Sequence, residues 1–308
     1  MANEMAKKTA ARSIWYGLFN LLIVYIVWGS TYLAIRIGVK EGSGFPPFYL
    51  AGTRVLVAAC ILLLLAYLQK KRIKPTKREL VLLSISGVML WLGGNGLVSF
   101  AEQRLDSGIA ALIIGSTPMV VALMEFIIDR RPPSLLLIVS MLVGFAGVGL
   151  LSAPAFRTGV QADVTSVIVI LIASILWGGG SLLQSRKPVQ LSPEVSSAFQ
   201  HLSGAVALLL TAFIIGEPMP HPIKGAIFAW LYLVIFGSVI AFTAFVRVLR
   251  LLPTNLVMTY AYVNPVIAVC LGWLVLGEHI TGWTIGGMVL ILIGVAGVFR
   301  ARYKNKSA

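Results

Sequence analysis

The sequence predicts an all-α polytopic membrane protein, with ten transmembrane helices in a five-plus-five inverted repeat around a central cavity. Three observations carry this. Ten apolar segments lie at approximately 14–36, 46–69, 80–100, 107–128, 134–153, 164–184, 195–216, 225–246, 254–276 and 282–300. Each is close to the roughly 20 residues that a helix needs to cross a bilayer. Landmarks then recur at nearly one spacing. Gly-Phe-Ala-Gly-Val at 144–148 and Gly-Val-Ala-Gly-Val at 294–298 are offset by 150, Trp28-Gly29 and Trp177-Gly178 by 149, Pro118 and Pro265 by 147, and Pro47 and Pro193 by 146. Five spans per half is an odd number, so the second half (156–308) is expected upside down relative to the first (1–155). An inverted repeat with paired helix breakers is the pattern of a secondary transporter.

The third observation is where the charges lie. The chain is 58% hydrophobic and 12% charged, about half the charged share of a soluble domain. A net charge of +14 would suit nucleic acid, but the basic residues form no footprint. With the N-terminus in the cytoplasm, segments on that side hold 19 of the 25 Lys and Arg residues, including Lys70, Lys71, Arg72, Lys74, Lys77 and Arg78. The opposite loops hold five: Arg36, Lys40, Arg104, Arg157 and Lys224. Such an excess in short loops marks the cytoplasmic face. Both termini are therefore expected inside, in a bacterial inner membrane, with anionic lipid and not nucleic acid as the partner of the basic segments. Cys60 and Cys270 fall within spans, which argues against a disulfide framework. The first segment exceeds a signal-peptide core and lacks a small-residue cleavage site, so it is expected to remain as the first span.

Polar or helix-weakening residues inside spans single out candidate functional positions. In the first span, Trp28-Gly29-Ser30 combines a flat apolar face and one donor with small residues; it suits either close helix packing or a ligand. The sixth span repeats this as Trp177-Gly178-Gly179-Gly180-Ser181, whose three glycines cost about 1 kcal/mol each relative to Ala and suggest a thin, bendable helix. Arg54 sits about eight residues into the second span, opposite Gln200 and His201 in the repeat. It is read either as an internal ion pair with Glu102 or Asp106 or as the partner of a substrate carboxylate. The third span carries Trp91, Asn95 flanked by Gly93, Gly94 and Gly96, and Ser99, which suits a cavity wall.

The fourth and ninth spans place a proline near mid-helix at Ser116-Thr117-Pro118 and Tyr262-Val263-Asn264-Pro265. Proline frees the carbonyl four residues earlier, here of Ile114 and Ala261. In lipid a free carbonyl survives only where protein or water meets it, so two kinks beside a watery cavity are expected, with Thr259, Tyr260 and Tyr262 adding hydroxyls. Glu125 could couple transport to protons or pair with a base such as Arg247. His201 is open to three readings: proton relay, ligand contact or packed neutral imidazole. The small-residue spans five and ten, with Gly282-x-x-x-Gly286, read as packing faces between halves or between protomers. There is no GxxxxGK[ST] loop for ATP, no HExxH, no GxSxG and no Cys/His cluster. Neither catalysis nor a metal or other cofactor is expected, and no ring of acids suggests a channel.

These features resemble the drug/metabolite transporter superfamily, specifically its EamA-type ten-helix exporters. The resemblance covers essentially the whole chain. It rests on the five-plus-five repeat, Trp28-Gly29-Ser30, Arg54, Pro118, Pro265 and Leu276-Gly277-Glu278. The first half departs from it, with Asp129-Arg130-Arg131 near where the second half has Gly277-Glu278. Within the family the chain is similar to bacterial amino-acid exporters of the YddG type. The resemblance implies alternating access between two bundles, with spans 1, 3, 4, 6, 8 and 9 lining the cavity. The residues alone suggest small neutral or zwitterionic, partly apolar solutes: a site with no Lys and at most one Arg disfavours multiply charged phosphates, while Trp28, Trp91, Trp177, Tyr260 and Tyr262 supply apolar faces. The competing class is a non-transporting membrane protein, an intramembrane enzyme or an assembly scaffold. Monomer and homodimer remain equally open.

Overall fold

The computed structural model describes residues 2–39, 42–101, 103, 113–157, 164–276 and 281–304. Its elements are helices, numbered here α1 Ala2–Val39, α2 Pro47–Leu68, α3 Lys77–Ala101, α4 Thr117–Asp129, α5 Leu135–Arg157, α6 Val164–Arg186, α7 Pro193–Ile214, α8 Lys224–Leu251, α9 Tyr260–Leu276 and α10 Gly282–Lys304. A one-turn helix, Thr254–Val257, precedes α9. Among the described residues, eight helices are long and apolar enough to cross a membrane, and α5 contributes a shorter apolar run, Leu135–Leu150. The fourth span expected from the sequence falls partly on residues outside those described. Large apolar side chains such as Phe19, Leu64, Phe213 and Phe228 lie exposed on the outside, which suits lipid as the solvent.

Sequence fixes the helix starts. α2 and α7 each open on a proline, whose missing N–H would be unpaired at that position anyway. Ser192 also caps α7. α3 starts with a capping box, Thr76 and Glu79 satisfying each other's backbone N–H groups.

The helices pack as symmetric pairs. α2 lies along α7, and α5 along α10; α1 packs on α8 and α9 as α6 packs on α3 and α4. The α2–α7 pair is antiparallel and latched at both ends. At the end of α2, Lys70 turns left-handed (φ 53°) and Lys71 Nζ reaches Glu194 in the first turn of α7 at 3.0 Å. At the end of α7, Gly216 turns left-handed (φ 70°), and Glu217 accepts the backbone N–H groups of Phe48 and Tyr49 in the first turn of α2, at 3.1 and 3.0 Å. α5 and α10 also run antiparallel, in backbone contact. A Cβ at Gly294 would lie 2.5 Å from the Gly144 nitrogen and 2.8 Å from the Ser140 oxygen. The repeated Gly-x-Ala-Gly-Val motif is thus an interface between the two halves. Gly286 meets Leu150 across it, whereas a Cβ at Gly282 would meet nothing within 4 Å.

Two departures from the sequence reading concern backbone shape. α6 runs unbroken through Gly178, Gly179 and Gly180. Cβ atoms there would lie 2.8 Å from Val121, 2.8 Å from Met89 and 3.0 Å from Leu90, so this glycine run lets neighbouring helices pack closely. Widened backbone occurs instead at equivalent places in the two halves, as π-helical segments Met89–Gly96 in α3 and Leu233–Phe242 in α8. Pro118 departs from the expected mid-helix position, whereas Pro265 keeps it. Pro118 lies in the first turn of α4, after a turn at 115–116, and the Ile114 carbonyl accepts the Thr117 hydroxyl at 2.6 Å. Pro265 lies inside α9 as its sixth residue, after a turn at 258–259.

Candidate functional site

A central cavity lies where the two halves meet. α1 contributes Trp28, Thr31 and Ile35, and α2 contributes Arg54. The π-helical part of α3 and its continuation bring Trp91, Gly94, Asn95 and Val98, and Ile114 and Thr117 flank the start of α4. α6 adds Ala173, Ser174 and Trp177, α8 adds Gly237, and α9 adds Tyr260 and Asn264. Together they surround about 770 Å³ of empty space, the open mouth included. The lining runs along α1 from Trp28 to Ile35 and along α3 from Trp91 to Val98.

The floor is aromatic. Trp28 meets Trp177 edge-on with centroids 5.5 Å apart and Tyr260 at 4.9 Å, and Phe245 closes beneath them at 5.0 Å from Trp28. The duplicated tryptophans of the two halves therefore touch. Trp28 Nε1 donates to the Gly237 carbonyl at 3.2 Å, one that the π-helical register of α8 brings to the cavity.

Below the floor, polar contacts tie the helices shut. Tyr25 and Thr259 share a hydroxyl bond at 2.5 Å, and Thr254 donates to Ser185 at 3.0 Å. Arg247 bonds Glu194 at 2.6 Å and Asn20 at 2.9 Å. Arg186 grips Asp129 with two bonds of 2.6 Å, which hold that exposed carboxyl below the usual aspartate range. Glu125 accepts from Asn255 at 2.9 Å and faces a second cavity on this side, with Asp129 and Arg131. The sequence reading of a Glu125–Arg247 pair is corrected: Arg247 is engaged by Glu194, and Asn255 reaches Glu125 across α4.

In the upper cavity, Arg54 is buried and donates Nη2 to Asn95 Oδ1 at 3.3 Å, with its guanidinium carbon 5.0 Å from the Trp91 ring centre. Five buried atoms on the lining have no partner within the protein: Arg54 Nε, Trp91 Nε1, Trp177 Nε1, Ser174 Oγ and Asn264 Oδ1. Leaving such groups unmet costs about 1–3 kcal/mol each, so their gathering around one cavity suits a solute or water. Among the described residues no carboxylate pairs with Arg54; Glu102 and Asp106 lie outside them, as do Gly277 and Glu278.

Other candidates lie away from the cavity. Ser30 bonds Val27 and Tyr232, Ser99 bonds the Asn95 carbonyl, and Ser181 bonds the Trp177 carbonyl. Tyr262 is fully buried against α5, donating to the Met141 carbonyl at 3.1 Å. His201 is fully buried and packs on Trp91 and Phe242, with Nδ1 at the Ser197 carbonyl. Its repeat neighbour Gln200 bonds Ser86 and Gln184. The π-helical segments escaped the sequence reading; Gly93-Gly94-Asn95-Gly96 and Gly237-Ser238, at equivalent depth in α3 and α8, were the available signal.

A bundle whose two halves share a central cavity of aromatic and polar side chains, with the helices tied together by polar contacts beneath it, is built as a membrane carrier. The chain belongs to the EamA-like transporter family, whose model matches it twice, over residues 15–153 and 164–300. It is 34% identical to the inner membrane transporter YedA of Escherichia coli K12 over 277 residues, 89% of this chain and 88% of that one. It is 23% identical to the transporter YoaV of Bacillus subtilis, covering 90% and 94%. A solved crystal structure superposes with a TM-score of 0.78 at 19% identity, over 93% of this chain and 98% of the other, which speaks to fold alone.

Proposed function

We propose that the protein is a secondary transporter of the bacterial inner membrane that exports small neutral or zwitterionic metabolites, amino acids with apolar or aromatic side chains foremost. The cavity carries this reading: an apolar aromatic floor at Trp28, Trp177 and Tyr260 beneath polar groups at Arg54, Asn95 and Asn264. A zwitterion leaving water must have its charges met, while an apolar side chain gains about 25 cal/mol per Å² buried. Antiparallel pairing of α2 with α7 and of α5 with α10 supports an inverted repeat. A central cavity between the halves, with polar contacts tying the helices beneath it, supports alternating access, with the basic side cytoplasmic and both termini there.

Reconstitution into liposomes with a panel of labelled amino acids tests the reading; measurable flux of leucine, phenylalanine or tryptophan is expected. Trp177→Ala should penalise these more than alanine or serine. Equal losses for large and small substrates would remove Trp177 from the pocket.

A further inference from the structure

The unpartnered atoms of the cavity are unequal in kind, and their kinds define a ligand. Three are donors: Arg54 Nε on a permanent cation, Trp91 Nε1 and Trp177 Nε1. Asn264 Oδ1 is a neutral acceptor, and Ser174 Oγ can serve either way. No Asp or Glu lines the cavity among the described residues. An ammonium group entering it finds amide oxygens and ring faces but no counter-charge among the described residues. A carboxylate finds a guanidinium whose fork matches its two oxygens, with indole N–H groups among the same lining residues. Arg54 is already oriented, since Asn95 holds Nη2 on one side and Trp91 lies under its plane.

From this donor excess we infer that the cavity requires a single carboxylate, gripped by Arg54, and that the α-amino group is dispensable. The inference rests on the reading of this cavity as the substrate site, and it sharpens the substrate class to apolar monocarboxylates, of which amino acids are one kind. A 2-oxo or 2-hydroxy acid with an aromatic or branched side chain satisfies the same groups: its carboxylate meets Arg54, its side chain the tryptophan floor. The corresponding amine, which keeps the side chain and the ammonium, does not.

The test uses the full chain in proteoliposomes and in detergent. Binding is read by quenching of the lining tryptophans, and flux by labelled phenylalanine. Unlabelled phenylpyruvate and 3-phenyllactate are expected to compete with phenylalanine within a few-fold of its own concentration dependence. Phenylalaninamide and phenethylamine should be weaker by at least 10-fold, on the order of what loss of one buried charged hydrogen-bond partner implies. Arg54→Gln should abolish this ranking, and Arg54→Lys should restore part of it. Competition by phenethylamine equal to that by phenylpyruvate, or an unchanged ranking in Arg54→Gln, overturns the inference while leaving amino-acid transport standing. Phenylpyruvate binding without phenylalanine flux has the opposite meaning: the amino-acid reading fails and the carboxylate site holds. A thermal-melting arm guards against a structural role. If Glu102→Gln or Asp106→Asn lowers the melting temperature as Arg54→Gln does, the double variant melts no lower, and the ligand ranking is unmoved, then Arg54 is committed to an internal ion pair and the inference falls.

Discussion

Gly294→Ala places one methyl group where α5 and α10 touch through their backbones. The added Cβ would sit 2.5, 2.6 and 2.8 Å from Gly144 N, Gly144 Cα and Ser140 O. Ordinary contact begins near 3.4 Å, and none of these three atoms can swing aside as a side chain could. The helices must therefore part by most of an ångström along this seam, and a gap of ~0.5–1 Å already forfeits a quarter to a half of each neighbouring dispersion contact. Overpacking of this kind costs about 1–3 kcal/mol, and backbone contact places it at the upper end. The gain in helix propensity from Gly to Ala, about 1 kcal/mol at most, offsets part of it, leaving a net loss of roughly 1–2 kcal/mol. The assay is the apparent melting temperature in detergent at a fixed heating rate, with Gly282→Ala as the control, since a methyl there meets nothing within 4 Å. Gly294→Ala should melt several degrees lower, the control within error of wild type, and substrate ranking should be unchanged because the seam lies away from the cavity. Equal melting of the two variants would refute the backbone-contact argument.

Further outcomes follow from other parts of the fold. Pro265→Ala restores a hydrogen bond to the Ala261 carbonyl inside α9 and should slow flux in liposomes without lowering the melting temperature; wild-type rates for both Pro265→Ala and Pro118→Ala would sever these prolines from the transport cycle. A reporter active only in the periplasm, fused after Ala308, should stay silent, and activity there would invert the topology. Burial raises the carboxyl of Glu217 above the usual glutamate range, against the lowering pull of the Phe48 and Tyr49 amides. The folded state thus holds its proton more tightly than the unfolded one, so this residue's stabilisation is present below the ordinary glutamate pKa and fades as pH rises through the raised value. Glu217→Gln should flatten that part of the stability–pH curve; an unaltered curve would show that Glu217 does not titrate there.

Much of this architecture was legible because it is written in local pattern. Apolar length gave the spans, and Trp28 and Trp177, matched by spacing alone, do meet across the cavity. The motif at 144–148 and 294–298 marked the seam between halves, because only small residues let two backbones touch. What stayed hidden depends on neighbours far away in sequence. Gly178, Gly179 and Gly180 promise flexibility when read alone; their use for packing shows only once Val121, Met89 and Leu90 are in place. Glu125 looked like a partner for Arg247 because both carry charge on one side, but Glu194 takes that arginine and an asparagine serves the glutamate. Arg54 and Asn95 were each legible as unusual, while their pairing was not, since a 41-residue separation carries no periodicity.

The two latches of the α2–α7 pair occupy equivalent positions in the two halves yet answer to different conditions. Lys71 and Glu194 are held by opposite charges at partly exposed sites, an attraction that dissolved salt screens over about 8–10 Å. Glu217 is held by peptide N–H groups of a helix start, directional bonds that answer to its own protonation. Ionic strength therefore acts chiefly on the Lys71 end, whereas the Glu217 end weakens as pH rises through its raised pKa, so each end of a single helix pair has its own trigger.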